Sequence, residues 1–186
     1  MIEQLGYLVI DATDVAAWQR FATRFVGLEA VERADGVLLL KADARDYRLM
    51  IRPAEVDRLY ASGWEVANRA AFVAIGERLR AANVAVAQAS AQEAAERSVT
   101  GLLSFTDPAG NRGEVYWGPI SEFRRMVSPV GVSRFVTGAL GLGHVVLPAA
   151  GTFEATQRFW TEVMGFGLSD ILHSRRNPEK PAPIHF

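Results

Sequence analysis

The sequence has 186 residues, 49% of them hydrophobic, with 20 basic and 21 acidic residues and a formal net charge of −1. That is enough for one well-cored domain with something appended, and it argues against a basic nucleic-acid surface or a polyacidic tail. There is no cysteine, so disulfides, zinc–thiolate sites and iron–sulfur clusters are excluded and any metal must sit on His and carboxylate ligands. The lack of Cys fits a reducing compartment. The N-terminus has no charged-then-apolar leader, and no apolar run approaches the ~20 residues of a membrane span. The expectation is a cytoplasmic protein with no membrane and no nucleic-acid partner.

Residues 5–11 are rich in Leu, Val and Ile and read as a buried strand. Asp14 then opens a helix that places Val15, Trp18, Phe21 and Phe25 on one face, with Trp18 and Phe21 expected in the core and Gly27 as its stop. Short strands are predicted at Leu28–Arg33, Val37–Ala42 and Tyr47–Arg52, the first two joined by an Asp35-Gly36 turn. This unit reads β-α-β-β-β. The order recurs with a strand at Trp64–Ala67, a helix capped by Asn68 with Phe72, Ile75, Leu79 and Ala82 inward, and a strand at Val84–Ala87. Ser90-Ala91-Gln92-Glu93 has the pattern of a capping box on a short extra helix. A hairpin of Gly101–Thr106 and Gly113–Trp117 follows, folded about Asp107-Pro108-Ala109-Gly110-Asn111. Each module alone leaves an apolar sheet face open, so the two should share one core.

Residues 119–141 carry Pro119, Pro129, Gly131, Gly138 and Gly141 and read as a connection, with Arg124-Arg125 as a solvated pair. The chain then begins to repeat itself. Leu5-Gly6-Tyr7-Leu8-Val9-Ile10 returns 137 residues on as Leu142-Gly143-His144-Val145-Val146-Leu147. Trp18-Gln19-Arg20-Phe21 returns 138 residues on as Thr156-Gln157-Arg158-Phe159, and Gly27-Leu28 as Gly165-Phe166. A period this long implies two copies of a domain rather than a solenoid. Tyr7 in the first copy is His144 in the second. The tail Ser174–Pro183 is polar and proline-rich and reads as a flexible loop, and Ile184-His185-Phe186 as the first residues of a strand. The expected divisions are therefore 1–118, 119–141 and 142–186.

Three features carry a family resemblance: the order of modules, the run Phe105-Thr106-Asp107-Pro108-Ala109-Gly110-Asn111 leading to Glu114-Val115-Tyr116-Trp117-Gly118, and above all Gly141-Leu142-Gly143-His144-Val145-Val146. The sequence resembles the type I extradiol ring-cleavage dioxygenases of the vicinal oxygen chelate superfamily, which also includes glyoxalase I and the bleomycin-resistance proteins. The likeness is greatest to the two-domain enzymes acting on 2,3-dihydroxybiphenyl and related catechols. It implies an α+β fold of paired βαβββ modules curled into an open barrel, followed by the opening of a second such domain. It also implies a non-haem Fe(II), or in some members Mn(II), held in the second domain by two His and one Glu.

On that resemblance His144 matches the first ligand, while the second His and the Glu belong to positions past Phe186. This chain alone is then expected to be inactive. Two imidazoles and a carboxylate occupy one face of an octahedron and leave the other for a chelating diol and dioxygen. Val146 lies two residues from His144 and shares its side of the strand. Val146, Ile171 and Phe186 are candidates to border the substrate, with core packing as the competing role for each. Expected partners are a small aromatic diol, dioxygen and further copies of the chain.

In the first copy Tyr7 stands at the first-ligand position, Gly63-Trp64-Glu65-Val66-Ala67 offers no His, and only Glu114 falls where a carboxylate ligand belongs. The first domain is expected to be metal-free, with Tyr7 filling the space of imidazole and metal. Two other functions stay open at this point. One is a metal-free binding protein using the first domain's groove, which requires that groove to be open. The other is glyoxalase-like isomerase chemistry on a different chelating substrate.

Overall fold

The computed structural model describes all residues except Phe123, Ala150, Arg175, Arg176 and Phe186, with side chains described as far as Ile171. Eight strands form one sheet: β1 Ile2–Ala12, β2 Glu29–Glu32, β3 Leu38–Lys41, β4 Leu49–Pro53, β5 Arg58–Val66, β6 Ala87–Gln88, β7 Val99–Thr106 and β8 Arg112–Pro119. Their order is β2-β3-β4-β1-β5-β8-β7-β6. Each module puts its first strand at the centre and pairs it in parallel with its last, β1 with β4 and β5 with β8. The two first strands run antiparallel, with Tyr7 opposite Gly63. The modules are thus related by a pseudo-two-fold axis, and the sheet is open, with β2 and β6 as its edges.

Helices α1 (Val15–Phe21) and α2 (Arg69–Ala81) cover one face of the sheet, each on its own module. Asp14 and Asn68 cap them by accepting the backbone N–H three residues on. The short α3 (Ala91–Glu96) starts on the predicted Ser90–Glu93 capping box and covers the other face through Ala94. Alternation along β1 divides the two cores: Leu8, Ile10 and Ala12 join the first face, Tyr7 and Val9 the second.

Several local expectations are corrected. α1 passes into a π-helical turn, Ala22–Val26, before Gly27 ends it at φ 86°. Ala22, four residues past Trp18, takes the inward place on this helix. Ala22 is buried, whereas Phe21 and Phe25 stack on each other outside, 52% and 80% exposed. β5 starts at Arg58, six residues before the predicted strand, because it pairs with β1 along most of its length. The strand predicted at Val84–Ala87 shrinks to Ala87–Gln88.

The connection is tied down. Lys41, buried in β3, pairs with Glu122, and Arg124 pairs with Glu29, so Arg124 is more than a solvated charge. Past a short turn at Gly138–Leu140, the segment 142–147 forms no strand. Leu142 N–H donates to Leu5 C=O at 2.9 Å, but no ladder follows. An extended segment becomes a strand only where a neighbour accepts its hydrogen bonds; β4 pairs with β1 only along Leu8–Ala12, which leaves the Ile2–Tyr7 edge open, and Leu142 is the residue of the segment that bonds to it. Helix α4 (Phe153–Arg158) continues into a second π-helical turn, Phe159–Val163. It packs Phe159, Trp160 and Met164 against Trp64, Phe72 and Phe105 of the second module. The predicted tail loop is instead partly a hairpin, β9 (Asp170–Ser174) with β10 (Asn177–His185). Its register is irregular where Pro181 interrupts the ladder.

Candidate functional site

The centre of the sheet brings Tyr7, Gly63 and Glu114 side by side on β1, β5 and β8. Tyr7 Oη donates to Glu114 Oε2 at 2.7 Å. Arg97, the residue that ends α3, donates to both oxygens of the same carboxylate, Nε at 3.0 Å and Nη2 at 3.3 Å. Glu114 is fully buried, and Arg112 approaches from the more open side. Buried charge is tolerated only when it is paired and hydrogen-bonded, and here one carboxylate takes two guanidinium donors and a phenol. The Tyr7 ring stacks on Tyr116 at 5.0 Å and packs against Tyr47 at 5.3 Å. A β-carbon at residue 63 would run into the Tyr7 ring, so glycine there is what admits tyrosine.

Electrostatics keep Tyr7 neutral and Arg97 charged. Burial, reinforced by the Glu114 charge, pushes the Tyr7 hydroxyl well above the usual tyrosine value. Burial works against the Arg97 charge, but Glu114 more than offsets it and raises the guanidinium further. A neutral phenol, a glycine and a carboxylate already held by arginine do not fit a divalent metal ion. Among the described residues no group of three or more His, Cys, Asp or Glu converges. Nor is the groove on this face open. The cavity beside Tyr7, Tyr47, Arg97 and Tyr116 has about 20 Å³, room for a water molecule and not for an organic ligand. A larger hollow of about 620 Å³ lies on the opposite face between α1 and β1, along Leu8, Ile10, Trp18 and Leu59, away from every predicted site residue.

The second copy looks different. Val145 and Leu147 pack onto the core, while His144 and Val146 are exposed, Val146 at 69%. The pair therefore shares one outward side of the segment, and no described side chain bonds to His144. Ile171 is half-buried near the start of β9, where it pairs with Ile184. Phe186 lies outside the described residues. The structure thus groups His144 with Val146 and leaves Ile171 on a separate hairpin. Sequence reasoning missed Arg97, which reaches Glu114 from a helix end with no diagnostic spacing. It also passed over Gly63, although a glycine inside a strand signals a close approach.

Two βαβββ modules about a pseudo-two-fold axis make this a paired-module domain of the vicinal oxygen chelate kind. The protein family described as "Dihydroxybiphenyl dioxygenase BphC D1" matches residues 5–53. The chain is 41% identical over 186 residues to a biphenyl-2,3-diol 1,2-dioxygenase of Pseudomonas sp. (strain KKS102), covering all of this chain and 63% of that protein. It is 40% identical over 192 residues to an iron-dependent extradiol dioxygenase of Rhodococcus jostii (strain RHA1), again covering all of this chain and 63% of the relative. Among solved structures, a halotolerant catechol dioxygenase, BphC, superposes with a TM-score of 0.88 at 32% identity over 94% of this chain and 59% of that one. In sequence and fold the chain is similar along its whole length to the type I extradiol dioxygenases. It spans less than two thirds of the length of these relatives. No described helix is long and apolar enough to cross a membrane.

Proposed function

We propose that this chain supplies the metal-free domain and the first metal-ligand segment of an extradiol dioxygenase, an enzyme that opens a substituted catechol beside its two hydroxyls. In this reading residues 1–118 are the metal-free domain, 119–141 the connection, and 142–186 the opening of the metal-bearing domain. His144 is the first ligand, and Val146, Ile171 and Phe186 border the diol. The observation that carries the reading is the similarity along the whole chain, at 41% identity, to a protein named for cleavage of biphenyl-2,3-diol. The exposed pairing of His144 with Val146 supports it, because both side chains stand clear of the core on one side.

When bound, Fe(II) or Mn(II) would chelate the diol and leave a position for dioxygen. Of this chain's own residues His144 alone stands at a ligand position. The other two ligands are assigned to sequence that the longer relatives have and these 186 residues do not contain. The protein works as a homo-oligomer in the cytoplasm on a small aromatic diol and dioxygen. The face around Tyr7 is filled, which counts against a metal-free binding function on that face.

The test compares the 186-residue chain with one extended to the length of its relatives, using biphenyl-2,3-diol, oxygen uptake and iron analysis. The extended chain should cleave the ring and retain iron, and the shorter chain should do neither. His144→Ala in the extended chain should abolish both. Turnover by the shorter chain, or iron retention by the His144→Ala variant, would overturn the assignment.

A further inference from the structure

We infer that the Asp107–Asn111 turn is a latch through which the metal-free domain positions the segment bearing His144. The inference rests on the reading of His144 as a ligand, but its structural half stands apart from that reading. Closing the turn needs only one oxygen of Asp107: Oδ1 accepts the N–H of Ala109 at 2.9 Å and of Asn111 at 2.8 Å. The remaining groups reach across to the second repeat. Asp107 Oδ2 accepts from Asn111 Nδ2 at 2.9 Å and from the Trp160 indole at 3.3 Å. A primary amide has two hydrogens to give, and the second from Asn111 goes to Pro148 C=O at 2.9 Å. Asp107 is itself buried, so its bond to the Trp160 indole is shielded from competing water, whereas the Asn111–Pro148 bond lies at the surface.

The placement brackets the histidine. Two residues before it, Leu142 N–H is held by Leu5 C=O. Four residues after it, Pro148 C=O is held by Asn111. Between the two, Val145 and Leu147 pack inward, and the backbone has no ladder to fix it. The outward direction of His144 is therefore set by its two anchors and by those two apolar contacts. The helix that follows is tied down as well, with Arg78 donating to Glu162 C=O at 2.9 Å. Asn111 and Asp107 are positioning residues, since neither touches the reacting atoms.

Asn111→Ala removes the bond to Pro148 and leaves the backbone bonds of the turn in place, and Trp160→Phe removes the indole donor and keeps most of the packing. In the 186-residue chain, ¹⁵N relaxation should show the Gly143–Leu147 amides of Asn111→Ala loosening from order parameters of about 0.85 toward 0.6. The β5 and β8 amides should stay unchanged. In the extended chain the same variant should lose iron about tenfold faster, the lower end of the effect of removing groups that orient metal ligands, with kcat per bound iron unaltered. Trp160→Phe should show the same effects more weakly. Unchanged relaxation over Gly143–Leu147 in Asn111→Ala would overturn the latch. Loosened relaxation with undiminished iron retention would uphold the latch and overturn the assignment of His144.

Discussion

The two copies of one local pattern meet opposite fates in this molecule. Leu5-Gly6-Tyr7 enters a strand that is laddered to β5, and Tyr7 becomes a buried phenol packed on Tyr116 and Tyr47. Leu142-Gly143-His144 bonds to that strand through Leu142 N–H and Leu5 C=O, stays out of any ladder, and leaves His144 exposed. The helices that follow share even an unusual detail. Each ends in a π-helical turn and a glycine at positive φ, and Leu28 N–H to Ala22 C=O in the first is matched by Phe166 N–H to Trp160 C=O in the second. Yet the first leaves Phe21 and Phe25 outside, while the second buries Phe159 and Trp160 on a module that is not its own. Local sequence sets the shape of the element, and the neighbours decide which of its faces is buried.

The sharpest way to break this comparison is at Glu114. If the Tyr7–Glu114–Arg97 set is what closes the first copy, Glu114→Ala strands a buried guanidinium and phenol and should cost about 3 to 5 kcal/mol. Urea denaturation measures it, and Glu114→Gln, which keeps an acceptor for Tyr7, should lose less. A loss within the ~1 kcal/mol of a surface ion pair would mean that the set fills space without holding the sheet. The helices come next. Phe159→Ala should cost about 3 kcal/mol, as for an aromatic removed from a core, whereas its repeat partner Phe21→Ala should stay within about 0.5 kcal/mol. Equal effects would show that the two helices are not differently seated.

How far the sequence reveals this difference depends on the kind of interaction involved. The modules, the caps at Asp14, Asn68 and Ser90, and the Asp107 turn follow from short-range chemistry and are legible in the chain. The exposure of Phe21 is not, because it lies at the edge of the stripe set by Val15 and Trp18, and Ala22, four residues past Trp18, takes the inward place. The missing strand at 142–147 is not legible either, since strand formation depends on partners distant in sequence. At the site, Tyr7 and Glu114 are found by superposing repeats. Arg97 is not, because its role comes from where α3 ends over the sheet and from no pattern around it.

A smaller loss than those at Glu114 and Phe159 bears most directly on why one copy holds tyrosine and the other histidine. Gly63 faces Tyr7 across β1 and β5, and a β-carbon there meets the edge of the ring. The ring has little freedom to withdraw, because Tyr116 and Tyr47 pack on it and its hydroxyl is fixed on Glu114. Gly63→Ala should therefore cost about 1 to 3 kcal/mol by overpacking. Tyr7→Leu removes the ring that the new methyl strikes, so Gly63→Ala made in that background should cost less than it does alone, a coupling that a double-mutant cycle in urea resolves. Tyr7→Phe keeps the ring and should give no such relief. If Gly63→Ala proved equally costly beside leucine, the glycine would be required by the strand backbone rather than by the tyrosine. The small residue on β5 would then be independent of the large one opposite it on β1.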